Sequence, residues 1–256
     1  MAAAAAATAL PALDGCSSIT GGPDNPLDAV TIGKGGSARL SARATTPAIA
    51  TPAGSYLMNP SALNDAVLVV PDSYTPGQSI PLVLALHGAG DLAQSMASLF
   101  APAANTRGFA VLAVGSRGIT WDAITFKYSV DVTFIDQALR WAFDRVAVDQ
   151  SRLTVAGFSD GATYTLGLAL ANGDFFTRAI AFSPGYIAAS SSPAVGKPKF
   201  FESHGREDPV LPIDGASRRI VPALQHAGYE VTYVEFDGGH QIPKTVLASA
   251  VDFIMA

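Results

Sequence analysis

From residue 64 onward, short β-prone apolar runs alternate with longer helical stretches, and this alternation restricts the fold more than any other feature of the chain. The runs are "DAVLVV" (65–70), "PLVLALH" (81–87), "FAVLAVG" (109–115), "RLTVAG" (152–157), "RAIAFS" (178–183), "KFFESH" (199–204) and "YEVTYVEF" (229–236). Several are apolar on successive positions, as strands covered on both faces require. Between them lie "DLAQSMASLFAPAANT", "VDVTFIDQALRWAFDRV", "DGATYTLGLALANG", "GASRRIVPALQHAG" and the terminal "KTVLASAVDFIM". In the second, Val132, Ile135, Leu139, Ala142 and Phe143 share one helical face. Gly173 and Gly228 follow helical runs, where left-handed caps are expected. The pattern predicts an α/β fold, with a mostly parallel sheet, helices on both faces and sites at the C-terminal ends of strands.

The preceding region reads differently. Residues 17–63 are rich in Gly, Ser, Thr, Ala and Pro, and are expected to form a loose arm in which "SARLSARAT" adds an edge strand. Before it, the Ala-rich run of residues 1–16 ends in Leu13-Asp14-Gly15-Cys16. It resembles the apolar part of an export signal followed by a bacterial lipoprotein processing site, which implies an exported protein with a lipid anchor at Cys16. No run reaches the 18 apolar residues needed to span a bilayer. With a single cysteine the chain forms no internal disulfide. The net charge of −5, without clustered Lys or Arg, excludes the electrostatic footprint of a nucleic-acid binder. There is no HExxH, no CxxC, and the four histidines are dispersed, so neither metal nor cofactor is expected.

The chemistry centres on "TVAGFSDGATY" (154–164). Ser159 stands between two glycines, after a predicted strand and at the start of a predicted helix. That sharp turn forces the serine into a strained backbone and presents its hydroxyl above the sheet. A serine nucleophile needs a base, normally histidine, oriented by a carboxylate. Of the histidines, His240 lies in the glycine-flanked loop "EFDGGHQIP" after the last strand. His226 reads as a helix-terminal surface residue, and His87 and His204 as buried or loop-fixing groups. Asp208, in "SHGREDPVLP", is the expected carboxylate because Pro209 stiffens the backbone that aims it. Asp237, nearer in sequence to His240, reads as a loop cap. The order Ser159, Asp208, His240 follows three different strands, the α/β-hydrolase order. The backbone N–H groups of Asp160 and of Ala89, in "LHGAGD", are the expected oxyanion donors.

The segments "LHGAGD", "GFSDGA", "SHGREDPVLP" and "GGHQIP" together resemble the phospholipase/carboxylesterase family of α/β hydrolases, including its acyl-protein-thioesterase-like and polyhydroxybutyrate-depolymerase- or feruloyl-esterase-like members. In the latter, "VDVTFIDQAL" (130–139) looks like a recurring segment, an acidic residue followed by an apolar helix. The resemblance covers residues 64–256, taken as the catalytic domain. It implies Ser159, Asp208 and His240 as triad and Ala89 and Asp160 as oxyanion donors. Asp160 stands where thioesterase-like members often have glutamine, and Ala89 replaces a larger apolar residue.

No insertion between 183 and 199 is long enough for a large cap domain, so an open site is expected. Trp121, Phe126 and Tyr128, in the loop after strand 109–115, either wall that site or pack their loop onto the body. Phe158 and Tyr186 are further wall candidates. The expected function is a serine carboxylic-ester hydrolase acting through an acyl-enzyme on short-chain or aryl esters. Polyester depolymerase, acyl thioesterase, peptidase and a non-enzymatic hydrolase-fold binding protein are the alternatives.

Overall fold

The computed structural model describes residues 25–59, 61 and 65–256. In chain order its strands and helices are β1 (Thr31–Ile32), β2 (Gly54–Leu57), β3 (Ala66–Val70), β4 (Ile80–Leu86), α1 (Ala93–Arg107), β5 (Ala110–Val114), α2 (Asp122–Thr125), α3 (Val130–Phe143), β6 (Val148–Phe158), α4 (Asp160–Ala171), β7 (Arg178–Phe182), β8 (Ile187–Ala188), β9 (Lys199–Gly205), α5 (Ser217–His226), β10 (Val231–Phe236) and α6 (Lys244–Met255). Among the described residues the main sheet has eight strands, in the order β10-β9-β7-β6-β4-β5-β3-β2. From β10 to β5 neighbours run parallel; β3 is antiparallel to β5, and β2 to β3.

The run of apolar residues in β4 explains the layering. All seven of its residues are buried. Successive side chains point to opposite faces. Leu82, Leu84 and Leu86 therefore join one core with Ile135 and Leu139 of α3, Leu166 of α4 and Ile220 and Leu224 of α5. Val83 and Ala85 join the other, with Met96 and Phe100 of α1 and Val246 and Ile254 of α6. Each such leucine or valine contributes about 1.5–3 kcal/mol by leaving water. Between β7 and β9 the only regular element is β8, which pairs with β1, so among the described residues no cap domain stands over the sheet.

Where composition predicts a loose arm with an edge strand at "SARLSARAT", the structure differs. Ala38, Leu40 and Ala42 are buried in the core. They alternate with exposed Arg39, Ser41 and Arg43, as in a strand. Yet the segment pairs with side chains rather than with a strand: Leu40 N–H donates to Asn172 Oδ1 (2.8 Å), Asn172 Nδ2 to Ala38 O (2.7 Å), and Ser41 and Ala42 N–H to Asp136 Oδ1. The edge position is taken by β2 instead. Gly228 adopts the expected left-handed conformation, with φ at 80°. Gly173 does not; a side chain there would overlap the Val195 carbonyl and the Pro198 ring, so close packing rather than φ requires glycine. The export segment 1–16, with Cys16, lies outside the described residues. Among those described, no helix is long and apolar enough to cross a membrane.

The chain leaves β4 toward β5 on one side and reaches β6 on the other, so the strand order reverses between β4 and β6. Ligands of open α/β sheets bind in the crevice at such a point. The loop "LHGAGD" and the turn at Ser159 emerge there, side by side, because Leu86 pairs with Gly157.

Candidate active site

Ser159 joins β6 to α4 with φ 56° and ψ −119°, a positive-φ conformation costly for a residue with a side chain. The flanking glycines let the turn close. A Cβ on Gly157 would overlap the carbonyl of Gly161, and one on Gly161 would overlap the carbonyls of Leu86 and His87. The turn is fixed on both sides: Ser159 N–H donates to Phe182 O (2.9 Å) and Thr163 N–H to Ser159 O (3.0 Å). Ser159 is 9% exposed. Asp160 follows at the first position of α4, where amides have no intrahelical acceptor.

The structure brings Asp208 and His240 together. His240 Nδ1 donates to Asp208 Oδ2 across 2.6 Å. Asp208 Oδ1 accepts from the amides of Val210 and Leu211, each at 2.9 Å. Burial alone would push Asp208 upward, but the Leu211 amide, His240 and the Val210 amide together hold it below the usual carboxylate range. The Phe158 ring lies against the His240 ring, with centroids 4.7 Å apart, so the imidazole packs on the residue that precedes Ser159. Asp237 is turned away: its side chain is exposed and pairs with Arg206. His226 is exposed at the end of α5.

His87 and Trp121 hold the loop that faces Ser159. His87 Nε2 accepts from Ser116 N–H (3.0 Å), so Nδ1 carries the proton and donates to Gly88 O (2.7 Å). Burial keeps this imidazole neutral by lowering its pKa. Within the loop, Gly90 N–H donates to Ile119 O and Asp91 N–H to Gly88 O. Ala89, exposed at the tip, has an amide without an acceptor among the described residues.

The aromatic candidates separate. Trp121 is fully buried, and its indole N–H donates to His87 O (2.9 Å). It packs its loop onto the body and offers no face to a substrate. Tyr128 is likewise buried, donating to Tyr164 O (3.0 Å), and Phe126 is exposed beside the ammonium groups of Lys34 and Lys127. Phe158 and Tyr186 are half-buried and border the site, Tyr186 within electrostatic reach of Asp160. Three rim residues had no sequence signal. Thr120 donates to Asp160 Oδ2 (2.6 Å), while Ile119 and Val210 are 84% and 60% exposed beside the two site loops. The acidic residue of "VDVTFIDQAL" also acquires a role. Buried Asp131 accepts from the amides of Arg117 and Asp122, both at 2.6 Å, clamping the base of the loop that carries Thr120 and Trp121.

The same arrangement of chain is found in other proteins. The model of the family described as Phospholipase/Carboxylesterase matches residues 118–256. A probable feruloyl esterase C of Aspergillus oryzae is 28% identical over 175 residues, which are 66% of this chain and 63% of that protein. The feruloyl esterase C of Emericella nidulans is 29% identical over 157 residues, 58% of this chain and 56% of that one. The chain thus spans less than two thirds of the length of these curated relatives. Among solved structures, a fluorophosphonate-binding serine hydrolase of Staphylococcus aureus shares the fold, with a TM-score of 0.62 over 80% of this chain and 99% of that one at 14% identity. From the family match, which covers more than half of its residues, the chain belongs to the phospholipase/carboxylesterase family.

Proposed function

We propose that the chain is a metal-independent serine hydrolase of carboxylic esters, with Ser159 as nucleophile, His240 as base and Asp208 as its orienting carboxylate. The observation that carries this reading is the 2.6 Å bond from His240 Nδ1 to Asp208 Oδ2, with the imidazole packed on Phe158, next to the strained Ser159. A carboxylate on Nδ1 leaves Nε2 unprotonated and able to take the serine proton. Ser159 Oγ attacks the ester carbonyl as His240 accepts its proton. The amides of Ala89 and Asp160 receive the oxyanion. His240 then protonates the leaving alcohol, and the acyl group stays on Ser159. Water, deprotonated by His240, attacks the acyl-serine; the acid leaves and Ser159 regains its proton. Asp208 remains ionised throughout and stabilises the imidazolium.

The rim favours a flat or aryl acyl group. Phe158, Tyr186, Ile119 and Val210 offer apolar surface at the rim above the largely buried Ser159, and the feruloyl esterase relatives carry that substrate class in their names. The test is turnover of a p-nitrophenyl ester series from acetate to palmitate beside methyl ferulate, with matched amides. Short-chain and aryl ester turnover without amide turnover supports the reading. Amide cleavage at comparable rates would replace it with a peptidase.

A further inference from the structure

A buried line of polar side chains lies behind Asp208, and acyl transfer as derived above makes no use of it. Glu202 and His204, two residues apart on β9, share one face of the sheet. Ser217, the first residue of α5, covers that face. All three are at most 1% exposed. His204 Nε2 lies 2.7 Å from Leu211 O and 3.3 Å from Asp208 Oδ2. Its Nδ1 lies 2.7 Å from Ser217 Oγ.

These contacts fix every proton. A carbonyl and a carboxylate can only accept, so Nε2 must carry hydrogen. Burial lowers the pKa of His204 and keeps the ring neutral, so Nδ1 is an acceptor and the Ser217 hydroxyl donates to it. The lone pairs of Ser217 then turn toward Glu202, whose two oxygens have no partner at full hydrogen-bond geometry. Burial pushes this carboxyl up to about 8, with Ser217 opposing, so at neutral pH it is an acid with a proton to offer. The hydrogen-bonded part of the line is polarised in one direction, from Ser217 through His204 toward Leu211 O and Asp208, with the Glu202 carboxyl buried behind it. The other ionisable groups around it are His240 beyond Asp208 and Tyr233 of β10 beside Glu202.

We propose that His204 is a positioning residue of the ester-hydrolysing triad: held in its Nε2–H tautomer by Leu211 O, with Ser217 on Nδ1, it turns that N–H toward the same Asp208 oxygen that receives His240. The inference rests on the triad reading above. His204 also binds Leu211 O, so it ties down the loop whose amides hold the other Asp208 oxygen. The carboxylate thereby has three full hydrogen bonds, from Val210, Leu211 and His240, and the His204 N–H as a longer fourth contact at 3.3 Å that restricts its rotation. Part of its charge is neutralised by His204, which weakens its pull on the imidazolium of His240. Without that donor, Asp208 presents a larger negative charge in a looser orientation. The imidazolium is then favoured in the resting enzyme, while proton transfer is less well aligned.

The test is kcat, KM and the pH profile of kcat/KM for His204→Leu and His204→Gln, each made alone and with Asp208→Asn, alongside Ser159→Ala. His204→Leu should lower kcat about 10- to 100-fold, the loss expected for a hydrogen bond to a charged group, with little change in KM. Its acid limb should move to higher pH by about half a unit or more. Gln retains an N–H donor and should recover much of both effects. In the Asp208→Asn background the leucine substitution should add little. An unmoved acid limb, or the full loss repeated in that background, would overturn the proposal and reduce His204 to a structural residue. Should His204→Leu fail to fold, Ser217→Ala removes a single buried oxygen and is read in the same way, an unmoved acid limb again overturning it. Full turnover in Ser159→Ala would instead overturn the triad reading and this inference with it.

Discussion

Trp121 donates its indole N–H to the main-chain carbonyl of His87 across 2.9 Å, and both residues are completely buried. The tryptophan thus supports the loop facing Ser159 from beneath. Trp121→Phe keeps most of the packing but leaves that carbonyl unpaired. It should cost about 1–3 kcal/mol in urea unfolding. Because the loop carries the Ala89 amide, kcat should fall while KM for a p-nitrophenyl ester stays close to wild type. A change confined to KM would mean that Trp121 acts on substrate after all.

The glycine after Asp160 is required by space rather than by φ. A Cβ on Gly161 would overlap the carbonyls of Leu86 and His87, pushing the start of α4 away from β4. Gly161→Ala should destabilise the fold by about 1–3 kcal/mol, the range for overpacking. It should also lower kcat at least tenfold, because the Asp160 amide moves with the helix. Thermal melting and ester kinetics on the same preparation check both.

Two carboxylates compete for the role beside His240, and substitution separates them. Asp208→Asn should leave the fold intact and lower kcat by about 10⁴, since the amide no longer enforces the working tautomer of His240. Asp237→Asn changes an exposed side chain paired with Arg206 and should leave kcat within about twofold. Equal losses in the two variants would reopen the assignment.

Glu202 makes stability depend on pH. Its folded value of about 8 stands above the ordinary 4.5, so between these values the folded chain keeps a proton that the unfolded chain releases. Stability therefore falls as pH rises from about 4.5 to about 8 and levels off above. The loss is at most about 5 kcal/mol for a shift of this size. Glu202→Gln removes the ionisation. The melting temperature of the variant, measured relative to wild type, should climb steadily over that window. A constant difference from pH 4 to 9 would show that Glu202 does not titrate there.

The parts of this molecule legible in its sequence are those encoded locally. The all-apolar run of β4 marks a strand buried on both faces, and its alternation with amphipathic α3 marks a parallel sheet. Ser159 stands out because two glycines, a strand and a helix must coincide to build such a turn. Features set by distant partners were not legible. The polar-looking segment around Leu40 is held by Asn172 and Asp136, 132 and about 95 residues away, so composition alone makes it a loose arm. The burial of Trp121 depends on the carbonyl of His87, 34 residues before it. A tryptophan in a loop carries no mark of which side it turns to water. Thr120, Ile119 and Val210 reach the rim through loop geometry alone, and no motif announces them.

The most direct test of the account is the hydrolysis of p-nitrophenyl acetate and methyl ferulate by wild type and Ser159→Ala, prepared side by side with matched melting curves. Ester turnover in the wild type that falls by about three orders of magnitude or more in a folded Ser159→Ala is the result predicted for a serine nucleophile. Turnover of the same esters at near-wild-type rates by Ser159→Ala would contradict it.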